Sequence, residues 1–201
     1  MNRNIKTAAK LAALAGAFAL TGCAFVPDTV HPQYIPQANV QKIPGADKVA
    51  VDVVVKNEKK HHNEISVTKN GYGMKMAGVY MHVAKDFKTA IDKALQARGF
   101  KTGPNGNVTV DVVVKKFFLP EQMHWWSITH TGTSNIQVNV IHHGKAYYSH
   151  SFIINNMNSK IVGDFSHPSL SADRHKSSSK LLDLSVEQIV NNRSFLSVLM
   201  Q

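Results

Sequence analysis

Two octets of this 201-residue chain nearly repeat each other: Val49–Lys56 reads VAVDVVVK and Val108–Lys115 reads VTVDVVVK. Valine recurs at every second position in each, and a period of two sets those side chains on one face of an extended strand. The β-branched side chain suits a pleated, half-buried surface. A chain with two such segments must build a sheet, and the rest of it must cover the apolar face. The likeness also restricts pairing. Parallel neighbours in register would set Asp52 beside Asp111 and Lys56 beside Lys115, and like charges directly opposite are unfavourable. Antiparallel or non-adjacent placement is therefore expected.

The cover is legible as helices. From Ala84 to Arg98, the residues Phe87, Ala90, Ile91, Ala94 and Leu95 recur at helical spacing and form one apolar face. Gly99 suits the left-handed position that closes a helix, and Gly103-Pro104-Asn105-Gly106 reads as a tight turn. A second helix is expected from about Ala172 to Asn191, with Leu181, Leu182, Val186, Ile189 and Val190 inward. Ser194 is the expected cap of a last short turn. Two long strands, Trp126–His142 and Lys145–Asn155, should form a hairpin about His143-Gly144. Ile65–Thr68 and Tyr72–Tyr80 are weaker strand candidates, and 156–170 should be irregular. The expected fold is a single α+β domain over residues 48–201, with two amphipathic helices packed on a largely antiparallel β-sheet.

The N-terminus has a different character. Arg3, Lys6 and Lys10 precede a short apolar run, Leu11–Leu20, with no acidic residue before it. That pattern reads as a secretory signal over residues 1–22, and the run is too short to span a bilayer. Leu20-Thr21-Gly22 then leads into Cys23, the chain's one cysteine. The four residues match a lipobox: small residues before the cut let the peptide enter a signal peptidase within the bilayer, and the thiol receives the lipid as a thioether. Several acyl chains hold far more firmly than one. Ala24 in place of an aspartate points to the periplasmic face of the outer membrane. Residues 23–47 hold four of the seven prolines, Pro27, Pro32, Pro36 and Pro44, and read as an extended tether. Its apolar residues, Val30, Tyr34 and Ile35 among them, leave open that part of it packs on the domain.

The stretch Ala94–Val114 (ALQARGFKTGPNGNVTVDVVV) resembles the YajG family of bacterial lipoproteins, through its helix end Arg98-Gly99-Phe100, the turn at 103–106 and the valine strand that follows. Lipobox, hairpin and closing helix come in the same order. The resemblance implies an envelope lipoprotein and carries over no catalytic residue. This chain differs from the family in its histidine-rich segments and basic balance.

The formal charge is +10, of which Arg3, Lys6 and Lys10 supply three, leaving +7 on the rest. Outside the cytoplasm a basic surface points to anionic lipid or cell-wall polymer and away from nucleic acid. The lysines are scattered except for Lys59-Lys60 and Lys115-Lys116. Eleven histidines include the pairs His61-His62 and His142-His143. Imidazole ligates zinc or copper, but a site needs three or four convergent ligands, and adjacent strand residues point to opposite faces. No metal site and no cofactor is expected. Asp173, His175 and Ser177–Ser179 lie close in sequence without the spatial assembly a triad needs, so no catalytic residue is assigned and the chain is read as a non-enzyme. Trp125 and Trp126 are candidates for contact with a ligand or the membrane interface. The leading expectation is a lipid-anchored module that binds an envelope partner protein or supports an assembly. A binding module for anionic lipid or cell-wall glycan is the alternative, and a metal-binding periplasmic protein a third.

Overall fold

A computed structural model describes residues 26–69, 72–124, 126–163 and 166–201. The two octets become neighbouring strands, β2 (Ala50–Asn57) and β6 (Val108–Phe118). Contrary to expectation, they are adjacent and parallel, but slipped by two residues from the octet alignment. Asp52 faces Thr109 and Val54 faces Asp111. An even slip keeps every side chain on its own face, so Val51, Val53, Val110 and Val112 all stay buried. It also removes the charge clash: Lys56 Nζ lies 3.0 Å from an Asp111 carboxylate oxygen.

Around this pair the chain forms two sheets. The smaller holds β1 (Asp28–Thr29), β4 (Lys75–Tyr80) and β3 (Glu64–Lys69), in that order. The larger runs β5 (Lys101–Thr102), β2, β6, β8 (Ser127–His142), β9 (Lys145–Val162), and β7 (Glu121–Met123) continues the β6 side of β8. The pairings β3–β4, β6–β8, β7–β8 and β8–β9 are antiparallel. The β8–β9 turn carries His143 at φ 49 and Gly144 at φ 78, the two left-handed residues that a two-residue hairpin demands. This is an α+β domain with a largely antiparallel sheet.

Helix α1 (Val83–Ala97) buries Phe87, Ala90, Ile91, Ala94 and Leu95, the face that its spacing predicts. Phe87 meets Phe117 of β6 edge to face, with ring centres 5.3 Å apart. Each such fully buried side chain contributes about 1.5–3 kcal/mol. Helix α2 (His167–Val190) starts five residues before the expected Ala172. Pro168 sits in its first turn, where a missing N–H costs nothing. A third helix, α3 (Arg193–Leu199), is capped by Asn192 and not Ser194: Asn192 Oδ1 accepts from Phe195 N at 2.9 Å. The stretch 156–170 is not irregular either. β9 runs through it to Val162, with Asn156 at φ 59 where the register with β8 shifts.

The proline-rich stretch is less of a tether than its composition suggests. Val30 and Tyr34 are buried, Val30 N donates to Tyr80 O at 2.8 Å, and Ile43 N donates to Arg98 O at 2.9 Å. Tyr34 Oη donates to Glu187, and burial with that bond pushes the phenol well above its usual range. Residues 28–34 and 43–46 thus make contacts along the body.

Gly106 closes the turn into β6 against the backbone of β2. A Cβ there would stand 2.6 Å from both Ala50 O and Asp52 N. Gly106→Ala should cost about 1–3 kcal/mol, lowering the melting temperature by roughly 2–4 °C per kcal/mol. Gly103→Ala, with nothing within 4 Å of its Cβ, should stay within about 0.5 kcal/mol. Thermal melts of both variants test this, and equal melting points would refute the close-approach account.

Candidate functional site

The two lysine pairs, 56 residues apart in sequence, meet at one pocket. Lys59, Lys60, His61, Glu64, Lys115, Lys116, Phe117 and Phe118 line a cavity of about 310 Å³. A β-bulge makes this arrangement. The β6–β8 register shifts between Val114 and Lys116, leaving Lys115 as the extra residue. In an unbroken strand Lys115 and Lys116 would point to opposite faces, one of them into the core. The bulge exposes both, while Val114 and Phe117 on either side stay fully buried.

The opposite wall is the loop from β2 to β3. Lys59 is buried, and its Nζ donates to the Glu64 carbonyl at 2.9 Å. Burial pushes its ammonium down to about 8, against the pull of Glu64. Asn57 Oδ1 accepts from Lys59 N at 3.3 Å, and His62 takes the left-handed φ of 34 that turns the loop. Lys60 and His61 are exposed on the rim. Glu64 is the one carboxylate lining the pocket, and Lys75 holds it in an ion pair. Half-buried Phe118 supplies the aromatic surface, and Phe117 beneath it is fully buried in the core.

A second polar group lies in the core. Arg174 of α2 makes a forked pair with Glu121, Nε to Oε1 at 2.7 Å and Nη2 to Oε2 at 3.0 Å. Nη2 also donates to Thr68 Oγ1 at 2.9 Å, and Thr68 donates to Glu121 Oε2 at 2.9 Å. Asp28 Oδ2 stands 3.7 Å from Nη1, and His130 Nδ1 stands 3.9 Å from Glu121 Oε1. The cavity among them is about 10 Å³, room for one water at most. This group fastens β1, β3, β7 and α2 together and has no space for a substrate.

The remaining sequence candidates disperse. Leu20, Thr21, Gly22, Cys23 and Trp125 lie outside the described residues. Trp126 stands 73% exposed between β7 and β8. His142 bonds the Val198 carbonyl at 2.8 Å, and His143 serves the hairpin turn. His175 contacts the His31 carbonyl at 2.8 Å, Ser177 donates to Ser159, and Ser178 donates to the His175 carbonyl, so these residues serve packing and helix contacts. Among the described residues, no three His, Cys, Asp or Glu side chains gather as metal ligands. Sequence reasoning missed the pocket because the bulge at Lys115 has no signal in the pattern; the paired lysines were visible, but their meeting was not.

Strand β9 presents a different feature. It pairs with β8 from end to end, with register shifts at Tyr147 and at Asn155-Asn156, and among the described residues no strand covers its other side. Near its end Lys180 Nζ donates to Asn158 O at 3.3 Å and Ser177 meets Ser159. Over residues 145–155 the edge is open, with Tyr147 and Ile153 exposed along it.

A family model described as uncharacterized lipoprotein matches residues 36–199. No curated protein matches the sequence. Among solved structures, a Xanthomonas campestris protein of the DUF330 family is similar with a TM-score of 0.50 and 11% identity, over 84% of this chain and 97% of that one. Lipoprotein GNA1162 from Neisseria meningitidis is similar with a TM-score of 0.33 and 13% identity, over 72% of this chain and 99% of that one. The first is a likeness of fold alone, and the second adds nothing to it.

Burial pushes the His130 imidazole below its usual 6.5, with Glu121 opposing and Arg174 assisting. The unfolded chain takes up that proton near pH 6.5 and the folded chain only at lower pH. Stability from this group is therefore complete above about pH 6.5 and is lost as pH falls below it. His130→Gln should flatten the decline in urea midpoint between pH 7.5 and 5.5; an unchanged slope would place the titration elsewhere.

Proposed function

This chain belongs to the uncharacterized lipoprotein family whose model covers residues 36–199, and on that footing we propose a non-catalytic envelope protein that engages a partner protein through the open edge of β9. We read the family as the YajG lipoproteins that Ala94–Val114 resembles, and the anchor as a lipid on Cys23, at the periplasmic face of the outer membrane. The observation that carries the partner reading is the edge itself. Among the described residues no strand pairs with its outer N–H and C=O groups over residues 145–155, which are a template for an added strand. Exposed Tyr147 and Ile153 offer side-chain contacts beside that backbone ladder. An extended segment of an envelope protein fits this geometry.

Two further features support the membrane placement. Traced back from Thr29, β1 runs parallel to β4 toward the end where β4 begins. At that end the exposed apolar residues Tyr72, Met74 and Met76 gather. Thr68 of β3 bonds Glu121 of β7 there, so Met123 and Trp126 follow on the same side. Cys23 is three residues before Val26, within about 10 Å of extended chain. A lipid there would draw this apolar end toward the bilayer, where an aromatic such as Trp126 is at home.

Photo-crosslinkers placed at Ser151 and Ile153 in living cells should each trap one discrete envelope protein, while the same group at Leu184, exposed on α2, should not. Absence of any discrete product from both β9 positions would sink the edge reading. Separately, Cys23→Ser should abolish acyl labelling and leave the protein unprocessed; labelling that persists would remove the anchor from Cys23.

A further inference from the structure

The lysine pocket stands apart from the β9 edge and needs its own account. Four ammonium groups surround one cavity of about 310 Å³, at the small end of the range for ligand sites, about 300–1,000 Å³. The single carboxylate in the lining, Glu64, is already paired with Lys75, so little within the pocket offsets the four charges. Gathering like charges costs free energy, which an anion drawn in from solution recovers. The bulge at Lys115 keeps two of the four out of the core when a regular strand would bury one. Lys59 is fixed by its bond to the Glu64 carbonyl, and one bond leaves the other ammonium donors to turn toward a ligand.

The walls are not those of a simple anion site. Phe118 is half-buried at the side, and lysine stems add further apolar surface, over the fully buried Phe117. A free phosphate would leave this surface wet. We propose that the pocket binds an anionic amphiphile, with its phosphate among Lys59, Lys60, Lys115 and Lys116 and its apolar part against Phe118 and the lysine stems. The inference goes beyond the partner reading and does not rest on it, because no residue of the pocket lies on β9.

The test uses the full-length lipidated protein in a neutral detergent and a fluorescent short-chain phosphatidylglycerol, read by anisotropy. Saturable binding is expected, weaker by about tenfold or more in Lys115→Glu/Lys116→Glu. It should fall with added salt. The phosphatidylcholine of equal chain length and glycerol phosphate should both compete poorly. Equal competition by phosphatidylcholine would overturn the charge assignment, and equal competition by glycerol phosphate would overturn the apolar one. Should the double variant fail to fold, Lys60→Glu, on an exposed loop position, must weaken binding; unchanged affinity there would overturn the proposal.

Discussion

The fold depends on one buried guanidinium. Arg174 is 3% exposed, and a charge so placed is tolerable only with counter-charge and hydrogen bonds around it, which it has except at Nη1, left with an ion-pair contact alone. Glu121 takes two of its N–H groups, Thr68 shares one of these, and Asp28 stands against the far nitrogen. These partners come from the large sheet, the small sheet and the entering chain. Removing the arginine would leave Glu121 buried without its counter-charge, and the small sheet would lose its polar fastening to α2. The apolar core elsewhere is generic by comparison: valine against valine and leucine against phenylalanine can be repacked, whereas this group admits few substitutes.

The same contrast explains which parts of the fold could be read from the sequence. The period of two in Val49–Val55 and Val108–Val114 led directly to strands, and the spacing of Phe87, Ile91 and Leu95 led directly to α1, because burial acts on each residue locally. The pairing of the two octets could not be read so directly. Both the in-register and the slipped arrangements bury the same valines, and only the cross-strand charges separate them. The clash of Asp52 with Asp111 is evident from the octets alone, whereas the slip that turns Lys56 onto Asp111 is not. Arg174 drew no attention in the sequence, since nothing nearby announces Glu121 or Thr68.

The candidate site shows the limit from the other side. Lys59-Lys60 and Lys115-Lys116 stood out as pairs among scattered lysines, a pattern that a solvated basic surface also gives. Their meeting depends on two backbone irregularities, the left-handed His62 in one loop and the bulge at Lys115 in one strand. Both are set by long-range register, which no local pattern encodes. Proline content likewise suggested an extended segment, and the apolar Val30 and Tyr34 left open a packing on the domain that only the structure decides.

That docking of the N-terminal segment has a mechanical meaning. β1 is parallel to β4, so a pull on the chain before Val26 acts along the strand axis. The Val30 N–Tyr80 O bond, the β1–β4 bridges and the Asp28–Arg174 pair are then loaded sideways and together, not peeled one after another. Behind them the buried Val30 and Tyr34 side chains would have to leave the core in the same event. A domain joined in this way to its own N-terminal segment resists being unravelled from that end.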